Sequence, residues 1–234
     1  TGIDVARYRS EALYRAYRGK RRPAAHYALG RLPLWARAVT KVPLVARIAN
    51  AVMRIAPLRR LAFRLVGVDP RRAMPGFETR RFSRSEEARS LRAASRKSRK
   101  KGLHGIPDEG RGSAPERGMA LARTSVLAGK STAGELDAKP RYVALWADSF
   151  SETLDARGAR AAVSVLQEAG YTVLLPPDEA CCGLTWITTG QLDAAKRKLN
   201  SLLGALAPFA ANGIPIVGVE PSCTAVLRSD MEDL

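Results

Sequence analysis

From Arg141 onward the chain alternates short apolar runs with amphipathic stretches, and no other feature of its 234 residues restricts the fold as much. Tyr142-Val143-Ala144-Leu145-Trp146 reads as a strand. Ala156 to Ala169 reads as a helix stopped by Gly170. Tyr171-Thr172-Val173-Leu174-Leu175 reads as a second strand, ended by Pro176-Pro177. Thr189 to Leu206 reads as a second helix, Gly213 as a turn, and Ile214 to Val219 as a third strand. Strand, helix, strand, helix, strand is the order of a parallel sheet whose strands are joined by crossover helices. The expected class is α/β, a parallel sheet with flanking helices. In such sheets ligands sit beyond the carboxyl ends of the strands.

The residues before this unit read differently. Residues 1–18 have the spacing of a short amphipathic helix, with Asp4 able to cap its start and Val5, Tyr8, Ala12 and Leu13 on one side. Gly19 and Lys20-Arg21-Arg22-Pro23 end it. Pro33 and Pro43 interrupt the next stretch, and a further helix is expected from Pro43 to Val66, kinked or divided at Pro57. From residue 83, Ser, Arg, Lys, Gly and Glu dominate and large apolar residues thin out. That composition reads as a flexible linker over 83–139, with a short helix from Ser85 to Ala94. The expected organisation is thus a basic helical segment (1–82), a linker (83–139) and an α/β domain (140–234).

Charge obeys the same division. Residues 1–82 hold 19 Lys and Arg against 4 Asp and Glu, whereas residues 141–234 hold 7 against 11, within a total of +17. The chain begins at Thr1 rather than Met, and reads as a fragment or a processed product. No run of apolar residues is long enough for a transmembrane helix, and no signal peptide stands at Thr1.

Three cysteines carry the chemistry. Cys181 and Cys182 come after the second strand, and Cys223 after the third, in Glu220-Pro221-Ser222-Cys223. The strand order alone places both loops, and the Asp148-Ser149-Phe150 loop after the first strand, at one edge of one sheet. Soft thiolate sulfur suits iron and iron–sulfur clusters. The plain alternative is a set of buried free cysteines, which loop placement after two successive strands disfavours. Adjacent cysteines rarely bond to one another, so a reducing compartment fits better than a secreted one. Asp148 and Glu220 read first as turn or capping carboxylates, and second as groups that tune the site. Thr185, Trp186 and Thr189 belong to the helix after Gly183, in capping and core packing or beside a bound anion. His26 and His104 have no second ligand spaced to pair with them and read as surface residues.

Pro176-Pro177-Asp178-Glu179-Ala180-Cys181-Cys182-Gly183 and Gly218-Val219-Glu220-Pro221-Ser222-Cys223 resemble the cysteine-rich CCG domain. That domain occurs in heterodisulfide reductase, in the iron–sulfur subunit of glycolate oxidase and in the C-terminal part of FAD-linked oxidases. The resemblance covers about residues 140–234. Residues 1–82 also look like the segment after the ferredoxin-like cysteines in the last group. The resemblance implies a Rossmann-like parallel sheet, an iron–sulfur cluster with Cys181, Cys182 and Cys223 as metal ligands, and FAD in a part upstream of Thr1. It also implies missing flavin and ferredoxin-like domains as partners, and a quinone or redox-protein acceptor. The implied activity is that of an oxidoreductase which takes electrons from a 2-hydroxy acid through flavin. This fragment would supply the electron transfer and be inactive alone. Two positions depart from the family pattern. Ser149 stands where classical CCG domains carry a cysteine after strand one, and Cys223 is followed by Thr224-Ala225-Val226 where a Cys-x-x-Cys pair often stands. The remaining thiols would share a cluster with another domain, hold a simpler metal site or act as a redox pair.

A second reading makes the chain a basic binding module, with an inert α/β scaffold attached to anionic membrane or nucleic acid. The basic segment reads first as a charged face packed on missing domains, then as a membrane-surface contact, and only then as a nucleic-acid contact. No zinc-finger or helix-turn-helix spacing supports the last. The implied location is cytoplasmic, with peripheral contact at the inner face of the cell membrane.

Overall fold

The computed structural model describes residues 4–71, 75–100, 141–176 and 180–234. Its centre is a parallel sheet of three strands, β1 (Arg141–Trp146), β2 (Tyr171–Leu174) and β3 (Ile216–Gly218), in the order β2-β1-β3. Val143 pairs with Val173, and Leu145 with Val217. β1 takes the middle because Val143, Ala144, Leu145 and Trp146 are all apolar and all buried. A strand covered on both faces needs a continuous apolar run rather than an alternating one. The class is therefore α/β with flanking helices, as the strand order implied.

Helices cover both faces. Val143, Leu145 and Val173 pack on Ala159 and Val163 of α8 (Arg157–Glu168). On the other face Trp146 packs on Trp186 and Ile187 of α9 (Leu184–Thr188), and on Leu199, Leu202 and Leu206 of α10 (Leu192–Ala211). The helix expected from Thr189 begins at Leu192 as α10, and the short α9 precedes it, because Gly190 turns the chain between them at φ +65°. α10 also runs past the expected end at Leu206, through Pro208, to Ala211. Phe209 is buried against Ala144 and Leu174 there, and that burial offsets the hydrogen bond a proline removes. Short helices α7 (Ser149–Thr153), α11 (Pro221–Val226) and α12 (Asp230–Asp233) stand where loops were expected.

The first half of the chain is helical: α1 (Val5–Ala16), α2 (Ala24–Gly30), α3 (Leu32–Val39), α4 (Pro43–Arg54) and α5 (Ala56–Leu65). Asp4 caps α1 by accepting from the Arg7 N–H at 3.0 Å. Pro33 and Pro57 fall in the first turns of α3 and α5, where the missing N–H costs nothing. The expected division of 43–66 therefore appears, with the break at Ile55.

These helices do not stand apart from the sheet. Arg22 donates to the carbonyls of Thr189 (2.8 Å) and Gly190 (2.7 Å). Thr185 Oγ1 donates to the Gly30 carbonyl, and Gln191 Nε2 to that of His26. His26 is accordingly half-buried, edge-on to Tyr17, rather than a surface residue. His104 lies outside the described residues.

In the first part of the expected linker, the short helix expected from Ser85 to Ala94 appears, longer and packed on the α/β unit. The 3-10 turn Phe82–Arg84 leads into α6 (Glu86–Lys100), and Phe82, Ser83, Ser85, Ala88 and Leu91 are buried. Phe82, Ala88 and Leu91 join the apolar cluster of β1, β2 and α8. Ser85 Oγ accepts from the Ala88 N–H and caps the helix, and the buried Glu152 carboxylate accepts from Ser83 N–H and Oγ. The composition of 83–94 hid a few well-spaced apolar residues that suffice to hold one helix face. The rest of the expected linker, from residue 101, lies outside the described residues. Leu91→Ala should then cost about 2–3 kcal/mol in a urea titration. A loss below about 0.5 kcal/mol, normal for an exposed linker position, would show that this face is not packed.

Among the described residues no helix is long and apolar enough to cross a membrane.

Candidate redox site at the carboxyl edge of the sheet

The three strands end at Trp146, Leu174 and Gly218, and the chain leaving each one turns into the same corner. Asp148, buried after β1, accepts from the N–H groups of Phe150 (2.8 Å) and Ser151 (3.2 Å) and from Ser151 Oγ (2.7 Å). That cap starts α7 and fixes Ser149 at its first position. After β2, residues 177–179 lie outside the described residues, and the chain resumes at Ala180. The Ala180 carbonyl accepts from Trp146 Nε1 at 2.9 Å, which anchors the Cys181-Cys182-Gly183 turn over β1. Gly183 has φ +81°, and a Cβ there would lie 3.1 Å from the Ala195 carbonyl oxygen, so the turn needs glycine. After β3, Glu220 caps α11 by accepting from the Cys223 N–H at 2.6 Å.

Cys181, Cys182 and Cys223 are thereby buried together, packed with Trp146, Trp186, Ile187 and Val226. They are electrostatic neighbours in pairs: Ser149 acts on Cys181, Cys181 and Cys182 on each other, Cys182 and Cys223 on each other, and Glu220 on Cys223. The structure brings together all three cysteines picked out in the sequence, with Ser149 beside Cys181. Asp148 and Glu220 are caps, in agreement with their plain reading, and both also act electrostatically on Cys223. Thr185 and Trp186 serve packing: Thr185 ties α9 to α2, and Trp186 is core.

The surroundings keep these thiols protonated. The hydrogen bond to Cys182, together with burial, drives the Cys181 thiol far up, against donation from Ser149 and the Gly183 N–H. Cys182 is pulled down by its bond with Cys181, but the bond with Cys223 and burial outweigh this and push it up to about 12. The bond with Cys182 lowers Cys223, yet burial and the Asp148 and Glu220 charges leave it raised. Glu220 is raised by burial but more strongly lowered by the Ser222 hydroxyl and the Cys223 N–H, so its carboxyl sits below the usual range.

The donor set suits a soft metal or a cluster in kind. It offers three sulfurs, with N–H groups of Gly183 and Leu184 directed at Cys181 and Cys182. It is short of the usual four ligands. Among the described residues no group of three or more His, Cys, Asp or Glu is arranged to hold a metal ion.

A second feature lay unseen around the start of the expected linker. A cavity of about 410 Å³ is lined by Arg80, Arg81, Arg84 and Arg89, with Thr40 and Thr79. The Thr79-Arg80-Arg81-Phe82-Ser83-Arg84 run was visible in sequence, but composition alone did not show that Phe82 would anchor it.

Comparison of the chain with known families, with curated proteins and with solved structures returns no match.

Proposed function

We propose that this chain is the electron-transfer portion of an FAD-linked 2-hydroxy-acid oxidoreductase of cytoplasmic location, with its redox point at the Cys181, Cys182 and Cys223 edge. One observation carries the reading. Loops after two successive parallel strands bring three cysteines into one buried cluster at the edge where such sheets act. Cys181, Cys182 and Cys223 would hold the cluster, which would supply one-electron transfer between flavin and a quinone or redox-protein acceptor. The chain's own residues do three things there. Trp146, Trp186 and Val226 exclude water; the Gly183 and Leu184 N–H groups bond sulfur; Asp148 and Glu220 fix the loops by capping α7 and α11. Substrate and flavin would be bound by other parts of the oxidoreductase.

The test is iron per chain after anaerobic reconstitution with iron and sulfide. The parent should retain iron, and Cys182→Ser and Cys223→Ser should each lose it at least about tenfold, because a hydroxyl is a harder and less ionisable ligand. Ser149→Cys should increase retention. Equal iron in the serine variants and the parent, or no iron in any of them, rules out a cluster at this edge.

A further inference from the structure

We propose that the face formed by α4 and α5 docks onto the surface of an anionic phospholipid bilayer, with the two helices lying in the plane of the headgroups. The face is apolar and open. Leu44 is 63% exposed, Ile48 55%, Leu61 56% and Leu65 73%, and Val45, Val52, Ile55 and Leu58 are exposed beside them. Single exposed leucines are ordinary, but eight large apolar side chains on one pair of adjoining helices form a patch of the kind that marks an interface. At 100° per residue, Leu44, Ile48 and Val52 fall on one stripe of α4, and Leu58, Leu61 and Leu65 on one stripe of α5. Ala46 and Phe63 point the other way, into the protein.

Charge identifies the occupant. Arg47 and Arg54 flank the stripe on α4, Arg64 flanks that on α5 with Arg60 further round the helix, and all four are exposed. Between Ala12 and Val68 the sequence has thirteen Lys and Arg and no Asp or Glu. A surface that pairs an uninterrupted apolar stripe with cations of one sign fits lipid: acyl chains meet the stripe and headgroup phosphates meet the rim. A protein partner would meet no acidic residue here to pair with its own cations. Nucleic acid would leave the stripe in water. This inference does not depend on the redox reading. It uses other residues and a measurement that needs no iron.

The experiment is co-sedimentation of the full chain with vesicles of phosphatidylcholine containing phosphatidylglycerol, and with phosphatidylcholine alone. Binding should require the anionic lipid and weaken as salt is raised, because screening shortens the reach of the rim charges. Ile48→Asp with Leu61→Asp should reduce the partition coefficient at least about tenfold. Arg47→Glu with Arg60→Glu should do the same on anionic vesicles, and all variants should keep the parent's melting temperature because every changed side chain is exposed. The proposal is overturned by any of four results: no partition onto anionic vesicles, equal partition onto phosphatidylcholine alone, aspartate variants that bind like the parent, or a self-associated species in sedimentation velocity that Ile48→Asp dissolves. Competition of duplex DNA for the protein at the vesicle surface, abolished by Arg47→Glu with Arg60→Glu but untouched by Ile48→Asp, also overturns it.

Discussion

Gly190→Val should destabilise the chain by about 3–5 kcal/mol, because a side chain there meets both a strained backbone and a helix with nowhere to go. Gly190 has φ +65°, a region β-branched residues avoid. A Cβ on it would lie 2.5 Å from Leu13 Cβ, 2.8 Å from the Tyr14 nitrogen and 2.9 Å from the Ser10 carbonyl oxygen. Two of those three atoms are backbone of α1 and cannot swing aside. α1 must therefore lift from the turn, which also strains the bonds from Arg22 to the Thr189 and Gly190 carbonyls. Gly19→Val separates the two causes. Gly19 has a similar φ, +71°, but nothing lies within 4 Å of a Cβ there. It should cost about 1–2 kcal/mol, the conformational part alone. The comparison is of urea midpoints at equal slope. Equal losses in the two variants would mean that α1 does not press on the turn after α9, and hence does not brace the helix that carries Trp186 beside the cysteines.

Raising the pH from 9 to 10 should remove about 2 kcal/mol of stability in the metal-free, reduced protein through Cys181 and Cys182, with a further loss of the same sign through Cys223. All three titrate higher in the folded chain than an ordinary thiol at 9.0, with Cys182 up to about 12. The folded state holds each proton that the unfolded chain releases above pH 9. The stability these groups contribute is thus intact below pH 9 and is lost as pH climbs toward the folded value. The loss averages about 1 kcal/mol for each of Cys181 and Cys182 between pH 9 and 10, and steepens to about 1.4 kcal/mol per pH unit above that. Tyr and Lys titrate nearby, so the measurement is a difference: urea midpoints at pH 8, 9 and 10 for the parent and for the variant with Cys181→Ser, Cys182→Ser and Cys223→Ser. The variant should be less stable at pH 8 yet show the shallower decline. Parallel declines would mean that the thiols are not held protonated in the folded chain, and would remove the argument that their proximity and burial set the resting state of the site.

Much of this architecture comes from local sequence. Val143 to Trp146 is continuously apolar, so β1 had to be a strand covered on both faces. Gly170 and Pro176 bound β2, and Asp4 marks the first turn of α1. A parallel order of strands in turn forces the loops after β2 and β3 to one edge, so the meeting of Cys181, Cys182 and Cys223 was legible without coordinates. The features that stayed hidden depended on contacts between residues far apart in the chain. Pro208 reads as a stop until Phe209 has Ala144 and Leu174 to bury against. The short helix expected from Ser85 to Ala94 appears, but its packing was not legible, because hydropathy averages over a window. Tertiary packing instead rewards three positions, Phe82, Ala88 and Leu91, that share one face.

The sequence by itself therefore determined the fold class, the strand order's consequence for the cysteines, and the capping carboxylates, since each rests on periodicity or on interactions within a few residues. Only the tertiary structure decided that α1 and α2 brace α9, that the three cysteines are buried in one apolar cluster with Trp146 and Trp186, and that the apolar sides of α4 and α5 face outward. Local patterns show which side of a helix is apolar. Whether that side finds a partner depends on which surfaces the rest of the chain leaves uncovered.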